Sequence, residues 1–275
     1  ELTFCGQSAV LSPSLLFSCA TVPGFALGVE ICEDLWVTEP PSGKLAAAGA
    51  TVIANLSASD EAVGKADYRR ALVTGQSARL CAAYLYADAG RGESSTDLVF
   101  SGHDLIAENG TLLAESERFS TGIIYADVDL VKLTQERLRM NTFRHAGGME
   151  TVSFNLPLKE LKLNRFVSPL PFVPAEGPER DARCAEILAI QSEGLCQRLR
   201  HIGGKSVVLG LSGGLDSTLA LIVAVRAFDR LGLPRSGICA VSMPGFGTTG
   251  RTKNNAAELA KAYGVTFREI PIGDT

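Results

Sequence analysis

The sequence predicts an α/β protein of two units, each a sheet with helices packed on it, and three observations predict it. Short apolar runs alternate with helix-period segments along residues 1 to about 140. A stretch from 141 to 178 breaks that alternation with Pro157, Pro169, Pro171, Pro174, Pro178 and the pair Gly147-Gly148, which reads as a tail and linker. After it, strand–helix–strand order resumes, the pattern of a parallel, doubly wound sheet. At 275 residues the chain has room for one large or two ordinary domains.

Each element has its own signal. Leu27 to Cys32 is an apolar strand, and Pro40 to Gly49 a loop followed by a short Ala-rich helix. Thr51 to Leu56 is a buried strand, and Tyr68 to Ala83 has helical spacing at Leu72, Ala78 and Leu80. Ala82 to Ala87 and Leu98 to Phe100 read as strands around a polar Gly loop, 90–97. Glu108-Asn109-Gly110-Thr111 is a hairpin turn, because Asn-Gly accepts positive φ. Ile123 to Val128 reads as a further strand and Leu130 to Met140 as a charged amphipathic helix. The second unit opens with a helix from Arg180 to Arg200. Strand 206–211, helix 217–230, strand Gly237 to Val241, a Gly-rich loop at 244–250, helix Thr252 to Tyr263 and strand Thr266 to Ile270 follow.

Composition narrows the function. Apolar residues make up 46% and charged residues 20%, with a net charge of −4. That balance gives no attraction to nucleic acid or to an anionic membrane, and neither partner is expected. The apolar run Leu219 to Val225 is far too short to span a bilayer. Seven Cys with no C-x-x-C pair, and only three His, fit a reduced cytoplasmic compartment and argue against a zinc site.

The stretch Val207 to Thr218, VVLGLSGGLDST, runs from a buried strand through a Gly loop into a helix start. Such a turn presents backbone N–H groups and the positive helix end to phosphate. Asp216 adds a carboxylate able to hold a metal ion on that phosphate. The Walker pattern fails because the loop has no Lys. Gly210-x-Ser212-x-Gly214 matches a hydrolase elbow, but His103, His145 and His201 all precede Ser212, and that motif needs its His after it. A plain Gly turn with a Ser/Asp cap remains open on spacing alone.

The string SGGLDST resembles the loop of the N-type ATP pyrophosphatases. The resemblance implies that Gly210, Leu211, Ser212, Gly213, Gly214, Leu215, Asp216 and Ser217 bind ATP, with Asp216 on Mg²⁺. Ser242-Met243-Pro244-Gly245-Phe246-Gly247-Thr248-Thr249, followed by Thr252 to Ala256, resembles the second strand and loop of the glutamine-dependent NAD synthetase family.

Ile31-Cys32-Glu33-Asp34 sets a thiol at the end of an apolar strand, where most Cys are inert core residues. The same string resembles the nucleophile motif of the nitrilase superfamily. The likeness continues through Asn55 to Ser59, Gly64-Lys65, Tyr68-Arg69-Arg70, Gly92 to Asp97, Gly102-His103 and Glu108 to Gly110. It implies Cys32 as a glutaminase nucleophile and Ser59 and Lys65 as residues holding the amino-acid part of glutamine; at Lys65 relatives also carry Arg. The nitrilase triad runs Glu, Lys, Cys, but the first Lys here is Lys44, and Glu30 is poorly placed as a base.

The resemblance runs from about Phe25 to Ile272. It implies residues 1–145 as the C-terminal half of a nitrilase-like αββα sandwich, 146–178 as linker, and 179–275 as the start of a doubly wound ATP pyrophosphatase domain. The expectation is a central fragment of a longer chain. Glutamine, deamido-NAD and ATP are the implied partners, with ATP and Mg²⁺ as cofactors and a homo-oligomer in the whole protein. Another amide ligase of the same superfamily, or a catalytically incomplete piece, stay as alternatives.

Overall fold

The computed structural model describes residues 2–94, 96–173, 176–245 and 250–272, for 250–253 the backbone alone. Residues Glu1–Val167 form one compact unit and Ser168–Thr275 a second.

The first unit opens with an exposed antiparallel hairpin, β1 (Leu2–Phe4) and β2 (Gln7–Ala9). Next come β3 (Leu15–Cys19), β4 (Ala26–Ile31), a 3₁₀ turn (Cys32–Leu35), α1 (Pro41–Ala47), β5 (Val52–Ser57), α2 (Lys65–Leu80) and β6 (Ala83–Asp88). β7 (Leu105–Glu108), β8 (Thr111–Glu115), α3 (Leu130–Arg139) and β9 (Glu150–Phe154) complete it. One seven-stranded sheet has the order β8-β7-β6-β5-β4-β3-β9. Its central strands β4, β5 and β6 run parallel, because α1 and α2 return the chain between them. Both helices seat on one face, where Leu45, Ala46, Val73 and Leu80 pack against Ile53, Tyr84, Tyr86 and Leu105. On the other face Leu133 of α3 packs against Val52 and Ala83. Gly28 lets α1 approach β4, since a Cβ there would stand 3.0 Å from the Cβ of Leu45.

The second unit holds α4 (Pro178–Ile202), β10 (Val207–Gly210), α5 (Leu215–Leu231), a 3₁₀ turn (Arg235–Gly237), β11 (Ile238–Ser242), α6 (Gly250–Tyr263) and β12 (Thr266–Glu269). The three strands are parallel in the order β10-β11-β12. Leu221, Val225 and Phe228 of α5 close on Leu199, Ile238 and Ala240 to make the core. No described helix is long and apolar enough to cross a membrane.

The α/β class, the parallel order and the hairpin turn agree with expectation, with Asn109 at φ 44° and Gly110 at φ 84°. Three readings change. Leu98 to Phe100 is no strand: Leu98 and Val99 are about half exposed, and Phe100 makes one isolated bridge to Asp60. The strand beside β6 is β7, whose four residues are all buried. Ile123 to Val128 is not a strand either, and Ile123 and Tyr125 face solvent. The linker read at 146–178 belongs in large part to the first unit. Ala146 N–H bonds Ala47 O, β9 pairs with β3, and Arg165 reaches Glu108. The helix after it begins at Pro178. Sequence periodicity misses β9 because only Val152 and Phe154 alternate there, too short a pattern to stand out.

Candidate functional site

Period two sends Gly28 and Glu30, Ile53, Asn55 and Ser57, and Tyr84, Tyr86 and Asp88 to the helix-covered face. Along each strand this face changes from apolar to polar toward the C-terminal end, where parallel sheets place ligands. Cys32 sits at that end of β4, half-buried, with φ 49°. A non-Gly residue there costs about 1–3 kcal/mol and persists only when neighbours hold it.

Asn55 holds it. Its Oδ1 accepts the Cys32 N–H at 3.1 Å, and its Nδ2 donates to the Cys32 carbonyl at 3.3 Å. The same Nδ2 donates to the Tyr84 hydroxyl at 3.2 Å, and that hydroxyl donates to Glu30. The other Glu30 oxygen accepts the Ser42 N–H at 2.7 Å. Burial, then the neighbouring Glu30, pushes the Tyr84 hydroxyl well up from its ordinary range. Both Glu30 oxygens are thus occupied in a buried network.

Lys65 opens α2. Its Nζ donates to Asp60 Oδ1 at 2.7 Å and lies 5.7 Å from the Trp36 ring centroid. Trp36 closes the turn that begins at Cys32 and packs on Tyr68 at 5.3 Å. The Lys65 hydrogen bond holds the Asp60 carboxyl below its ordinary range. Lys65 thus lies over the residue that ends the Cys32 turn.

Ser59 has other partners. Asp88 accepts its N–H at 2.8 Å, and its hydroxyl accepts from Arg69 at 3.2 Å. Arg69 is fully buried and also contacts His103 Nδ1 at 2.9 Å and Glu61 at 3.3 Å. The described contacts tie Ser59 to this cluster and not to Cys32 or Lys65. Burial raises the Asp88 carboxyl. His103 Nε2 meets Glu115 at 2.7 Å, and bonds from Arg70, then His103, outweigh burial to hold Glu115 at about 2. Ser95, inside the loop singled out above, lies outside the described residues.

In the second unit, Leu211 N–H extends the β10–β11 pairing by bonding Val241 O at 2.8 Å. The chain then turns through Ser212, Gly213 at φ 82° and Gly214 into α5. Ser217 folds back on the turn: its hydroxyl accepts the Ser212 N–H at 3.2 Å and donates to Gly214 O at 3.0 Å. Gly214 N–H donates to the Ser212 hydroxyl at 3.3 Å. Leu215 and Asp216 form the exposed first turn of the helix, whose N–H groups have no intrahelical acceptor. Gly210 ends β10 beneath them. An open cavity of about 460 Å³ beside the loop is lined by Gly213, Thr218, Asn255 and Glu258. Phe246, Gly247, Thr248 and Thr249 lie outside the described residues.

A carbon-nitrogen hydrolase model matches residues 3–137, and an NAD synthase model matches residues 187–275. Glutamine-dependent NAD(+) synthetase of Mycobacterium bovis is 51% identical over 98% of this chain and 42% of that protein. The chain belongs to the family of the glutamine-dependent NAD(+) synthetases. The Mycobacterium leprae member is 52% identical over 97% of this chain and 41% of its own length, and the Thermotoga maritima member 31% over 90% and 41%. The chain thus spans about two fifths of these NAD(+) synthetases. A solved structure of the Acinetobacter baumannii synthetase, with adenosine diphosphate, aligns with 94% of this chain and 40% of its own at 23% identity and a TM-score of 0.38.

Sequence reasoning missed Asn55 as a contact of Cys32, and Tyr84 with it. The available signal was polarity at alternate positions of strands otherwise apolar on that face.

Proposed function

We propose that the protein carrying this chain makes NAD from deamido-NAD, ATP and glutamine. One observation carries the reading: a single chain holds a thiol on a braced turn at the C-terminal end of parallel strands and, separately, a Ser-Gly-Gly turn feeding a helix N-terminus. In the first unit the Cys32 sulfur attacks the side-chain amide carbon of glutamine. The C–S bond forms, the C–N bond breaks, and nitrogen leaves as ammonia; water then releases glutamate from the thioester. Lys65, whose ammonium pairs with Asp60 over the Trp36 ring, would hold the amino-acid part of glutamine, as the family resemblance implies. Ser59 would act only through the Arg69 cluster that holds it.

In the second unit, the turn from Gly210 through Leu211, Ser212, Gly213 and Gly214 to Leu215, Asp216 and Ser217 cradles the phosphates of ATP. No described group of three or more acidic, His or Cys side chains forms a metal cage. One exposed carboxylate, Asp216, together with substrate phosphates fits Mg²⁺, which takes few protein ligands. The ion would neutralise phosphate charge as the carboxylate of deamido-NAD is adenylated. Activation of this kind is needed because a free carboxylate resists amidation. Ammonia at neutral pH is mostly ammonium, so a linked source supplies the reactive form.

The test is NAD formation by the full-length protein with glutamine or with ammonium as nitrogen donor. Cys32→Ala is expected to abolish the glutamine-driven reaction and spare the ammonium-driven one. Equal loss of both, or no loss of either, would refute the assignment.

A further inference from the structure

We propose that Asn55 is the positioning residue of the Cys32 nucleophile, a side-chain clamp that holds the thiol-bearing residue in its left-handed backbone conformation. The inference rests on the glutaminase reading above. Cys32 at φ 49° bears strain that something must counter. Among the described hydrogen bonds, both backbone polar groups of Cys32 go to one side chain, the Asn55 amide, at 3.1 and 3.3 Å. Asn55 stands opposite Glu30 in the β4–β5 register and is itself buried.

The sense of the amide is fixed from behind. Its remaining hydrogen points at the Tyr84 oxygen, 3.2 Å away, whose own hydrogen is committed to Glu30. A flipped amide would set oxygen against the Cys32 carbonyl and against the Tyr84 oxygen. Glu30 is held in turn by Ser42 N–H, and the Ser42 hydroxyl accepts from Gln76 of α2 at 2.7 Å. The clamp is thus braced on two helices through fully bonded buried groups, an arrangement that rigidifies.

Residue chemistry leaves little choice at 55. Asp would keep the acceptor for Cys32 N–H and lose both donors. Gln adds a methylene between strand and turn. An apolar residue leaves both Cys32 groups without these bonds. The Cys32 N–H is committed to Asn55, so the hydrogen bonds that stabilise the oxyanion come from other groups.

The experiment uses the full-length protein with Asn55→Ala, Asn55→Asp and Tyr84→Phe. Readouts are glutamine-driven and ammonium-driven NAD formation, thermal midpoint, and the rate of Cys32 alkylation by iodoacetamide, followed by peptide mass spectrometry. Asn55→Ala is expected to lower the glutamine-driven kcat roughly ten- to a hundredfold, the scale of a misplaced reacting group. KM for glutamine and the ammonium-driven rate stay within about twofold. Asn55→Asp, which sets a carboxylate oxygen against the Cys32 carbonyl and the Tyr84 oxygen, falls at least as far as Asn55→Ala, and Tyr84→Phe moves kcat in the same direction by less. Alkylation of Cys32 changes at least about fivefold in Asn55→Asp. A glutamine-driven kcat within twofold of the parent in Asn55→Asp, with unchanged alkylation, overturns the clamp. Should Asn55→Ala fail to fold, Asn55→Asp decides alone. A parent that releases no ammonia from glutamine sinks the glutaminase reading instead, and alkylation then decides on the clamp.

Discussion

Replacing Arg165 by Ala tests where the first unit ends. Its guanidinium meets both oxygens of Glu108, at 2.7 and 2.8 Å. Glu108 is fully buried, and the Arg165 side chain is 24% exposed. The backbone N–H groups of Asn164 and Arg165 also bond Asp127, so the segment is pinned at two points. Breaking a fully buried pair costs about 3–5 kcal/mol. Here Arg165 is partly solvated, and Glu108 keeps the Asp129 N–H at 2.7 Å and Lys132 at 3.5 Å. We therefore expect about 2 kcal/mol, below that range. For a unit of this size that is a drop of roughly 4–8 °C in Tm.

The pH dependence follows from the same contacts. Burial alone raises the Glu108 carboxyl, but bonds from Arg165 and the Asp129 N–H outweigh it and leave it below its ordinary 4.5. A depressed carboxylate stabilises the fold above its unfolded pKa, and that stability is lost as pH falls through the folded value. The gap between parent and Arg165→Ala is thus full at neutral pH and closes in acid below 4.5. Circular dichroism melts at several pH values, with trypsin cleavage at Lys159 and Lys162 as a second readout, measure it. A Tm within about 1 °C of the parent at pH 7, or a gap equally wide in acid, would show that residues 157–165 do not brace the unit.

Three further outcomes are expected. Asp216→Ala weakens Mg-ATP binding at least about tenfold by calorimetry, about 1.4 kcal/mol, and lowers stability by no more than about 1 kcal/mol, the contribution of an exposed carboxylate in the first helical turn; unaltered affinity and Mg²⁺ dependence would contradict the phosphate-loop reading. Glu115→Gln lowers stability by about 1 kcal/mol at pH 7, a discounted value because the site is part-exposed. That difference vanishes as pH falls from 4.5 toward about 2, so the acid unfolding midpoint moves up, and an unmoved midpoint speaks against the Arg70 and His103 bonds. Gly28→Ala forces a methyl to within 3.0 Å of the Leu45 Cβ and is expected to cost roughly 1–3 kcal/mol in a chemical melt; a neutral result would mean that α1 shifts freely.

Much of the fold was legible because its signals are local. Asn109-Gly110 names its own turn, since few other pairs accept two positive φ values. The apolar run at 207–211, the glycines after it and the helix-period residues that follow define the β10–α5 turn without reference to any distant residue. The parallel order of β4, β5 and β6 follows from the two helices between them. The thiol, the Gly loop and Asp216 were visible as residue types in a fitting local setting.

What the tertiary structure alone decided depends on partners far apart in sequence. β9 is a strand because β3, more than a hundred residues earlier, offers it an edge. Ser59 turns to Arg69 because Arg69 is buried beside it, and Glu61 and His103 share that guanidinium. Asn55 and Tyr84 close on Cys32 and Glu30 because neighbouring strands put them in register on one face. No local pattern encodes such meetings. Propensity and periodicity fix how a segment folds, whereas strand order and helix packing select which polar groups must satisfy one another once water is excluded.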